Sequence, residues 1–371
     1  MSTHVEVVVA GGGPAGAAAA IVLARRGRRV LLADGDRGDA FRIGEAVPPA
    51  VRPLLRDLGV LDLVLADGHL PCPGNVSVWG SGEPVATDFI FDPNGLGLHL
   101  DRARFDDTLR EAARNAGAEV VRARILGAVC EGRDWWVTLT GDKPRDHVLR
   151  TAWLMDATGR RAAVARRAGA ARRRDDVLVA SYARFRTRTG TDLDGRTAVE
   201  SEPDGWWYTA RVPSGERVVA FLTDADLIDR AAILSATGFG TRLGSTRYVH
   251  GLLQAHRYEM VGPPRAVSAE TARLDRVSGA GWAAVGDAAI SFDPLSSQGI
   301  LTALFTGLRA GQAADRALAG DLAAVEAYRC QVHAIDRAYR RHRDTCYAAE
   351  GRWPDRPFWR RRLGVGFTPT S

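Results

Sequence analysis

The chain has 371 residues, of which 46% are hydrophobic and 25% are charged, so it can bury a large core and is not expected to be disordered. It contains no run of about 18 apolar residues, and its start lacks a basic region followed by a cleavable apolar stretch, which favours a cytoplasmic protein without a membrane span or signal peptide. The net charge is +6, and because Lys143 is the only lysine, 49 of the 50 basic residues are arginine.

The cysteines and the arginines exclude further classes of protein. The four cysteines form no C-x-x-C pair and no ligand cluster, so neither a disulfide framework nor a metal site is predicted. Arginines cluster in residues 160–174 and 336–371, but no helix-turn-helix, zinc or base-stacking pattern accompanies them, so nucleic acid is not an expected partner. The clusters fit solvated helix faces or, alternatively, a surface on which an acidic protein docks.

The first predicted elements are a strand, a tight turn, a helix and a second strand. A valine-rich run ends in Gly11-x-Gly13-Pro14-Ala15-Gly16, and the alanine-rich segment that follows has helical spacing. The first glycine allows a sharp turn, the second lets the backbone approach a pyrophosphate, and the third lets helix and strand pack closely. Asp34 ends the second strand, where it can accept hydrogen bonds from an adenosine ribose. This unit predicts a dinucleotide site, although NAD and FAD both use its geometry.

Later segments return to the same site, which favours FAD over a nicotinamide. Asp156 closes an apolar strand and is followed by a Thr158-Gly159 turn, and another short apolar strand ends in Gly286-Asp287. A helix is predicted after Pro294, because proline suits a first helical turn and leucines then recur at helical spacing. The N-terminus of that helix, near residues 296–299, is expected to face a negatively charged group such as the N1–C2=O edge of a reduced flavin.

The segment between these motifs has strand character. VLVASYARFRT, GWWYTARVP and ERVVAFLTDAD are rich in β-branched and aromatic residues and are separated by turn residues. Trp206, Trp207 and Tyr208 are candidates for an aromatic substrate pocket, with core packing as the alternative. Strand alternation places the two tryptophans on opposite faces, so at most one of them is expected to touch substrate.

As an ordered set, these motifs resemble the FAD-dependent monooxygenases of the family that includes the aromatic hydroxylases, and more closely their flavin-dependent halogenase branch. The set comprises the glycine-rich turn, RIGEAVPP from Arg42, HLDRARFDDTLREAA from His99, DATGR from Asp156 and GDAAISFDPLSSQGI from Gly286. The resemblance implies an α/β fold, in which a Rossmann-like FAD-binding domain of the glutathione-reductase type carries an inserted, mainly antiparallel substrate sheet and a C-terminal helical segment. The expected domains are residues 1–171 and 268–335 for FAD, with part of 65–100 on the substrate side, residues 172–267 for substrate, and a helical tail at 336–371.

The resemblance also implies roles for individual residues. Asp34 is expected at the adenosine ribose, Arg102 at the ribityl chain or pyrophosphate, and Asp287 at the ribityl chain. The alternatives that involve no cofactor are a surface ion pair for Arg102, a helix cap for Glu45 and an ordinary strand end for Asp156. The residues predicted to bind FAD are Gly11, Gly13, Pro14, Ala15, Gly16, Asp34, Arg42, Arg102, Asp156, Gly159, Gly286, Asp287, Gln298, Gly299 and Ile300, and those predicted near the flavin ring are Glu45, Pro294, Ser296 and Ser297.

One residue type separates halogenation from oxygenation. Halogenases of this branch resemble one another in a catalytic lysine beyond the Gly-Glu motif, but the corresponding residues 66–91 contain no lysine. Lys143 lies in a predicted hairpin of the FAD domain with a turn at Gly141-Asp142, and arginine is no substitute because it stays protonated. The halogenase W-x-W-x-I-P fingerprint is also altered, since GWWYTARVP keeps its aromatic residues and final proline at different spacing.

These patterns predict an FAD-dependent monooxygenase that hydroxylates an electron-rich aromatic substrate of the indole or phenol type, free or carried on a peptide or protein. The reaction would use O2 through a flavin C4a-hydroperoxide, so no side-chain nucleophile is required. His69, His99 and His250 are candidates for a general base by residue type only. The reductant is NAD(P)H, or reduced FAD from a partner flavin reductase.

Four alternatives keep the same fold. They are a flavoprotein that matures a quinone-cofactor oxidase by oxygenating a protein tryptophan, a flavin-dependent halogenase, an FAD-dependent double-bond reductase, and a non-catalytic binding protein. An acidic protein partner is expected if the substrate is carried on a protein or if the arginine clusters serve as a docking surface.

Overall fold

A computed structural model describes residues 5–35, 41–141 and 147–364 of the chain. Its α-helices are α1 (Pro14–Arg25), α2 (Val51–Asp57), α3 (Leu61–Ala66), α4 (Arg102–Asn115), α5 (Ala163–Arg167), α6 (Arg230–Ile233), α7 (Ala236–Leu243), α8 (Tyr248–Ala255), α9 (Gly299–Leu318), α10 (Ala323–Ala348) and α11 (Pro357–Arg362). Its strands are β1 (Val7–Ala10), β2 (Val30–Ala33), β3 (Ala46–Val47), β4 (Leu70–Cys72), β5 (Gly74–Val78), β6 (Val85–Asp88), β7 (Gly97–His99), β8 (Glu119–Val121), β9 (Ala123–Glu131), β10 (Asp134–Gly141), β11 (His147–Thr151), β12 (Trp153–Asp156), β13 (Arg172–Arg174), β14 (Leu178–Thr187), β15 (Thr197–Glu202), β16 (Gly205–Arg211), β17 (Arg217–Asp224), β18 (Tyr258–Ser268), β19 (Ala272–Leu274), β20 (Ser278–Gly279), β21 (Trp282–Ala284) and β22 (Ile290–Ser291).

A six-stranded sheet forms the base of the molecule, in the order β20-β21-β12-β1-β2-β8. Its neighbouring strands are parallel except for the β20–β21 pair. All four residues of β1 and of β12 are buried, as expected for parallel strands that are covered on both faces. The carboxyl ends of β1, β12 and β21 therefore meet at one edge, which brings the glycine-rich turn, residues 157–159 and residues 286–287 together. This arrangement confirms the predicted Rossmann-type FAD-binding fold.

The long helix α9 packs along α1 and is held very close to it. A Cβ atom at Gly307 would lie 2.2 Å from the carbonyl oxygen of Ala15, so only glycine permits this approach. Because α1 and α9 are packed in this way, their N-terminal ends lie at the same edge of the sheet.

A seven-stranded sheet, in the order β18-β14-β17-β16-β15-β5-β6, covers that edge. All its pairs are antiparallel except β15 with β5. The three segments predicted as strands correspond to β14, β16 and β17, which confirms that part of the sequence interpretation. Trp206 packs on one face of this sheet and Trp207 on the other, as the alternation predicted.

Two smaller features complete the fold. Strands β9, β10 and β11 form an antiparallel sheet that includes the predicted hairpin, while Asp142 and Lys143 at its turn lie outside the described residues. Helix α10 runs without interruption through the predicted boundary between residues 335 and 336, and the domain limits stay a prediction. Within the described ranges, no helix is both long and apolar enough to cross a membrane.

The C-terminal segment docks on the seven-stranded sheet through aromatic side chains, as the sequence predicted. Phe358 and Trp359 of α11 are completely buried, and the Trp359 indole donates a hydrogen bond to the Glu202 carbonyl at 3.0 Å. Arg361 and Arg362 are held against the sheet, because both pair with the buried carboxylate of Asp224, at 2.9 and 2.8 Å. Their side chains are 23% and 8% exposed, so a fully solvated helix face does not describe these two residues.

Candidate functional site

A cavity of about 530 Å³ lies between the carboxyl edge of the six-stranded sheet and the inner face of the seven-stranded sheet. Its base is formed by the starts of α1 and α9 and by the turns that follow β12 and β21. Its roof is apolar and comes from β14, β16, β17 and β18. The roof residues are Ala180, Tyr182, Tyr208, Ala220, Leu222 and Val267, and the predicted FAD-binding residues in the wall are Gly13, Pro14, Ala15, Arg42, Arg102, Gly159, Asp287, Gly299 and Ile300.

The glycine-rich turn has the shape that a bound phosphate group requires. Gly11 has φ of +112°, a left-handed conformation that closes the turn, and a Cβ atom at Gly16 would lie 1.9 Å from the Gly11 carbonyl oxygen. Gly11 and Gly16 therefore build the turn without lining the cavity. A Cβ atom at Gly13, in contrast, would meet no atom within 4 Å and would project into open space. Gly13 is the N-cap of α1 and makes no side-chain cap, so the free N–H groups of the helix face the cavity and favour an anion.

Two arginines in the wall are held by one buried carboxylate. Asp106 accepts hydrogen bonds from Arg42 at 2.8 Å and from Arg102 at 3.3 Å, and it is only 1% exposed. Arg102 also donates to the Gly44 carbonyl at 3.1 Å, while its buried Nε makes no hydrogen bond within the described part of the chain. The side chain of Arg102 is thus an inward-facing cation rather than a surface ion pair, and it is placed to meet a phosphate or ribityl oxygen.

Sequence reasoning missed Arg110, which fixes the predicted ribose ligand. Asp34 lies beyond the cavity wall at the end of β2, where Arg110 contacts it at 3.0 Å and the Gly12 N–H at 3.4 Å. Arg110 also donates to the Gly12 carbonyl at 3.2 Å and so joins Asp34 to the glycine-rich turn. Residues 102, 106 and 110 recur every four positions on α4, so helical spacing is the signal that could have identified this shared face.

Asp156 does not face the cavity. It is completely buried, and its carboxylate accepts hydrogen bonds from the backbone N–H groups of Thr158, Val164 and Ala165 and from the Thr158 hydroxyl, at 2.7 to 2.9 Å. Its predicted role as a cofactor contact is therefore corrected to a structural one. Four protein donors already occupy the acceptor positions of this carboxylate, which keeps it turned away from the cavity. It shapes the Gly159 turn that does line the cavity.

The turn after β22 differs from the helix predicted there. Asp293 caps a single 3₁₀ turn at Pro294–Ser296 by accepting from the Leu295 N–H at 2.9 Å, and Ser297 then adopts a left-handed φ of +50°. Helix α9 begins only at Gly299 and has no side-chain cap. Pro294 and Ser297 line the cavity, whereas Ser296 and Gln298 point elsewhere, and the free N–H groups of α9 face the same space.

Asp287 lines the cavity after β21, as expected for a ribityl contact, and it lies 3.5 Å from the Arg160 guanidinium. Its neighbour Gly286 contacts no part of the cavity, because its N–H donates to the Thr306 hydroxyl at 2.8 Å and holds the turn against α9. The polar wall therefore contains cations together with the carboxylates of Asp287 and Asp293.

Glu45 and Tyr208 form a hydrogen-bonded pair. The sequence analysis named both residues as candidates but did not predict that they contact each other. The Tyr208 hydroxyl donates to Glu45 Oε1 at 2.5 Å, and Oε2 accepts from the Gly44 N–H at 2.9 Å. Burial raises the pKa of Glu45, and burial together with the nearby Glu45 carboxylate raises the pKa of Tyr208 well above its ordinary value. The phenol therefore keeps its proton at neutral pH, and the pair joins the β3 side of the cavity to its roof.

Trp206 and Trp207 do not line the cavity, so their predicted substrate contact is corrected to core packing. Trp206 donates to the Tyr347 hydroxyl at 3.1 Å, while Trp207 packs against Phe221 and Phe239. The three histidines considered as bases also lie outside the wall. Desolvation lowers the pKa of His99 to about 3, so it stays neutral and bonded to the Thr197 hydroxyl at 2.8 Å.

A smaller polar chamber of about 70 Å³ adjoins the cavity and shares Asp293 with it. Asp293 is buried and accepts a hydrogen bond from the Tyr347 hydroxyl at 2.6 Å. Across the chamber, Asp176 accepts from the Leu178 and Thr271 N–H groups. Desolvation, together with the charge of Asp293, raises the pKa of Asp176 from 3.8 to about 6.

We expect Asp176→Asn to raise the free energy of unfolding near neutral pH by about 1 kcal/mol and to change little near pH 4. The folded protein holds the Asp176 proton more tightly than the unfolded chain does, so stability falls as the pH rises from 3.8 to about 6. Asparagine removes this cost while its oxygen still accepts both N–H groups. Thermal melting of the parent protein and of Asp176→Asn, near neutral pH and near pH 4, measures this difference in stability. Asp175→Asn is the control and should destabilise, because Asp175 pairs with Arg273 at 3.0 Å and with Arg340; a loss of stability in Asp176→Asn would contradict the expectation.

Comparisons with known proteins agree with an FAD-binding fold. The FAD binding domain family model matches residues 4–183. A protein named FAD-dependent oxidoreductase LodB, from Marinomonas mediterranea, is 31% identical over 98% of this chain and 97% of its own length. Among solved structures, the peptidyl tryptophan dihydroxylase QhpG, essential for tryptophylquinone cofactor biogenesis, is 28% identical with a TM-score of 0.77 and covers 97% of this chain and 79% of its own. The myxobacterial chondrochloren halogenase CndH is 25% identical with a TM-score of 0.85, over 96% and 85% of the two chains.

The residues present fit FAD. The open space at Gly13, the two uncapped helix N-termini and the Arg102 side chain all belong to the wall of a cavity that is lined by both the glycine-rich turn and the roof. Each of these groups favours a negatively charged, hydrogen-bond-accepting ligand.

Proposed function

The chain belongs to the FAD-dependent monooxygenase superfamily, in its halogenase-like branch, and from this premise we propose that it hydroxylates an electron-rich aromatic ring carried on a protein, with the indole of a tryptophan as the preferred ring. It is an FAD-dependent oxidoreductase. The observation that carries the proposal is the cavity with two unlike walls. Its base offers cations and free N–H groups, whereas its roof is mostly apolar and carries the hydrogen-bonded phenol of Tyr208 and the phenol of Tyr182.

Reduced FAD, when bound, supplies the activation of O2. The protein's own residues bind and orient: the N-terminus of α1 would hold the pyrophosphate, and Arg42, Arg102 and Asp287 would hold the phosphate and ribityl oxygens. The N-terminus of α9 would favour negative charge on the flavin ring. The roof residues exclude water and give the aromatic ring an apolar surface, which a reactive oxygenating site needs.

Hydroxylation is preferred to halogenation because residues 66–91 carry no lysine. In the structure this stretch forms β4, β5 and β6, and Trp79 at the end of β5 packs against Trp206 and Trp359. The aromatic packing of this stretch supports the proposal that it does not supply a catalytic amine. The similarity to QhpG, a peptidyl tryptophan dihydroxylase, further supports a protein-borne tryptophan as substrate.

Tyr208 is the roof residue whose hydroxyl is hydrogen-bonded to Glu45, and we propose that it orients the aromatic ring of the substrate. Its proton is donated to Glu45 Oε1, so the lone pairs of its oxygen remain available to accept an indole N–H or a phenol O–H. The raised pKa of Tyr208 means that the phenol keeps the proton that it donates at neutral pH. In this arrangement Glu45 positions Tyr208 and does not itself need to touch the substrate.

We expect Tyr208→Phe to lower kcat/KM for a tryptophan-containing peptide by about 10- to 100-fold, because the buried Glu45 carboxylate loses its donor and the ring loses its acceptor. The Kd for FAD, measured by fluorescence titration, should stay within about threefold. Tyr182→Phe is the matched control, since the Tyr182 hydroxyl also belongs to the roof but makes no hydrogen bond among the residues described. If Tyr182→Phe lost as much activity as Tyr208→Phe, the orienting role of Tyr208 would be refuted.

The proposal is tested by mass spectrometry after incubation with O2 and reductant. Free indole, free tryptophan and a tryptophan-containing peptide are compared as substrates, each with NADH, with NADPH, and with reduced FAD supplied by a separate flavin reductase. Addition of oxygen to the peptide is expected. Activity on free indole alone would contradict a protein-borne substrate, and the arm that supports turnover identifies the reductant.

A further inference from the structure

A second recess, of about 140 Å³, continues the cavity beyond its apolar roof. Phe41 and Tyr182 line both spaces, so they form the boundary between them. The far wall of the recess is formed by Arg184 and Arg265 and by the exposed β18 residues Gly262 and Pro263. A ring in the cavity would therefore leave the rest of a larger substrate pointing toward two arginines.

Strand register explains why the sheet presents apolar side chains over the cavity but arginines over the recess. Ala180, Tyr182 and Arg184 alternate along β14 and so lie on the same face of the sheet. On β18, Val267 pairs with Ala180 and Arg265 pairs with Tyr182. The same two strands thus present small and apolar side chains over the cavity and guanidinium groups over the recess.

The charges around the recess leave one cation without a partner. Arg184 lies over the Phe41 ring at 5.2 Å and pairs with Glu216 at 3.0 Å, but Glu216 is shared with Arg186 at 2.6 Å. Glu259 is opposite Arg186 across the strand pair. The side chain of Arg265 is exposed and has no ion pair or hydrogen bond with the described residues, so of the two arginines that line the recess it is the one without a partner there.

We propose that this recess binds an acidic side chain that neighbours the target aromatic residue in the protein substrate, with Arg265 as its anchor. The inference rests on the proposed function, because it places that aromatic ring in the cavity. The acidic partner expected from the sequence was tied to the arginine clusters at residues 160–174 and 336–371, and in the second cluster Arg352, Arg361 and Arg362 are already paired with carboxylates of this chain. In contrast to these three residues, Arg265 pairs with no carboxylate among the described residues, so its positive charge is available to an acidic side chain of the substrate.

The test measures binding of three capped peptides to the FAD-loaded protein by isothermal titration calorimetry. Each peptide has tryptophan at its centre in a glycine background, with Glu, Gln or Lys at the second position on either side. The Glu peptide should bind about fivefold tighter than the Gln peptide, as expected for an ion pair at a partly exposed site. In Arg265→Glu the order should reverse, with the Lys peptide binding best.

Arg265→Ala and Arg122→Ala form a matched pair, because each removes one exposed charge that has no ion pair among the described residues, and Arg122, in the link between β8 and β9, lines neither the cavity nor the recess. Only Arg265→Ala should abolish the preference for Glu. Equal affinities for the three peptides, or an equal effect of both substitutions, would overturn the inference. Because binding is measured without turnover, a peptide that binds with the predicted preference but gains no oxygen would instead refute the proposed reaction.

Discussion

A Gly13→Ala variant should fold like the parent protein and lose about 100- to 10,000-fold in affinity for FAD. A Cβ atom at this position meets no protein atom within 4 Å, and Gly13 has an ordinary φ of −73°, so the substitution costs the protein itself very little. The methyl group would, however, stand between the pyrophosphate and the free N–H groups of α1. Losing two such charge-assisted hydrogen bonds, at about 1.5–3 kcal/mol each, gives the expected range.

Fluorescence titration with FAD and thermal melting of the FAD-free protein check this expectation together. Gly240→Ala in α7 is the control, because a Cβ atom there also meets nothing within 4 Å but lies outside the cavity wall. Gly240→Ala should bind FAD normally. If Gly13→Ala bound FAD with parental affinity, the pyrophosphate could not lie at the N-terminus of α1, and the FAD site described above would be in the wrong place.

Trp359→Ala is expected to lower the free energy of unfolding by about 3–5 kcal/mol. The side chain is completely buried, with its ring centre 5.4 Å from that of Trp79 and 5.2 Å from that of Phe358, and its indole N–H bonds to the Glu202 carbonyl. The substitution leaves both a large void and an unpaired backbone carbonyl. Because the same aromatic cluster supports Trp206 beneath the roof, its loss should also loosen the cavity.

Chemical denaturation measures this change, and Trp136→Ala provides the comparison. Trp136 lies on β10 and is 41% exposed, so its truncation should cost less than about 1 kcal/mol. A similar small loss in Trp359→Ala would mean that the C-terminal segment is not packed on the sheet as described.

Local patterns predicted much of the fold because the relevant physics is local. Glycines at 11, 13 and 16 dictate a turn whatever surrounds them, and apolar runs that end at Asp156 and Gly286 are typical of buried parallel strands. Once these strands lie side by side, their carboxyl ends must form a common edge. The position of the FAD site thus follows from the order of the motifs.

Roles that depend on distant partners could not be predicted in this way. Glu45 and Tyr208 are 163 positions apart, and no pattern near either residue indicates the other. The alternation at Trp206 and Trp207 gave their opposite faces correctly, but both faces of that sheet are covered, so neither tryptophan reaches the cavity. The role of Asp156 was predicted wrongly because two of its four donors, the N–H groups of Val164 and Ala165, belong to α5, which follows the motif.

The most direct test of the central claim uses isotopically labelled O2 with bromide present. The FAD-loaded protein is given reduced FAD from a separate flavin reductase and a peptide with tryptophan between glutamates, and the product is fragmented by mass spectrometry. The indole ring is expected to gain labelled oxygen and no bromine. Bromine on the ring, or a peptide that gains only unlabelled oxygen from water, would contradict it.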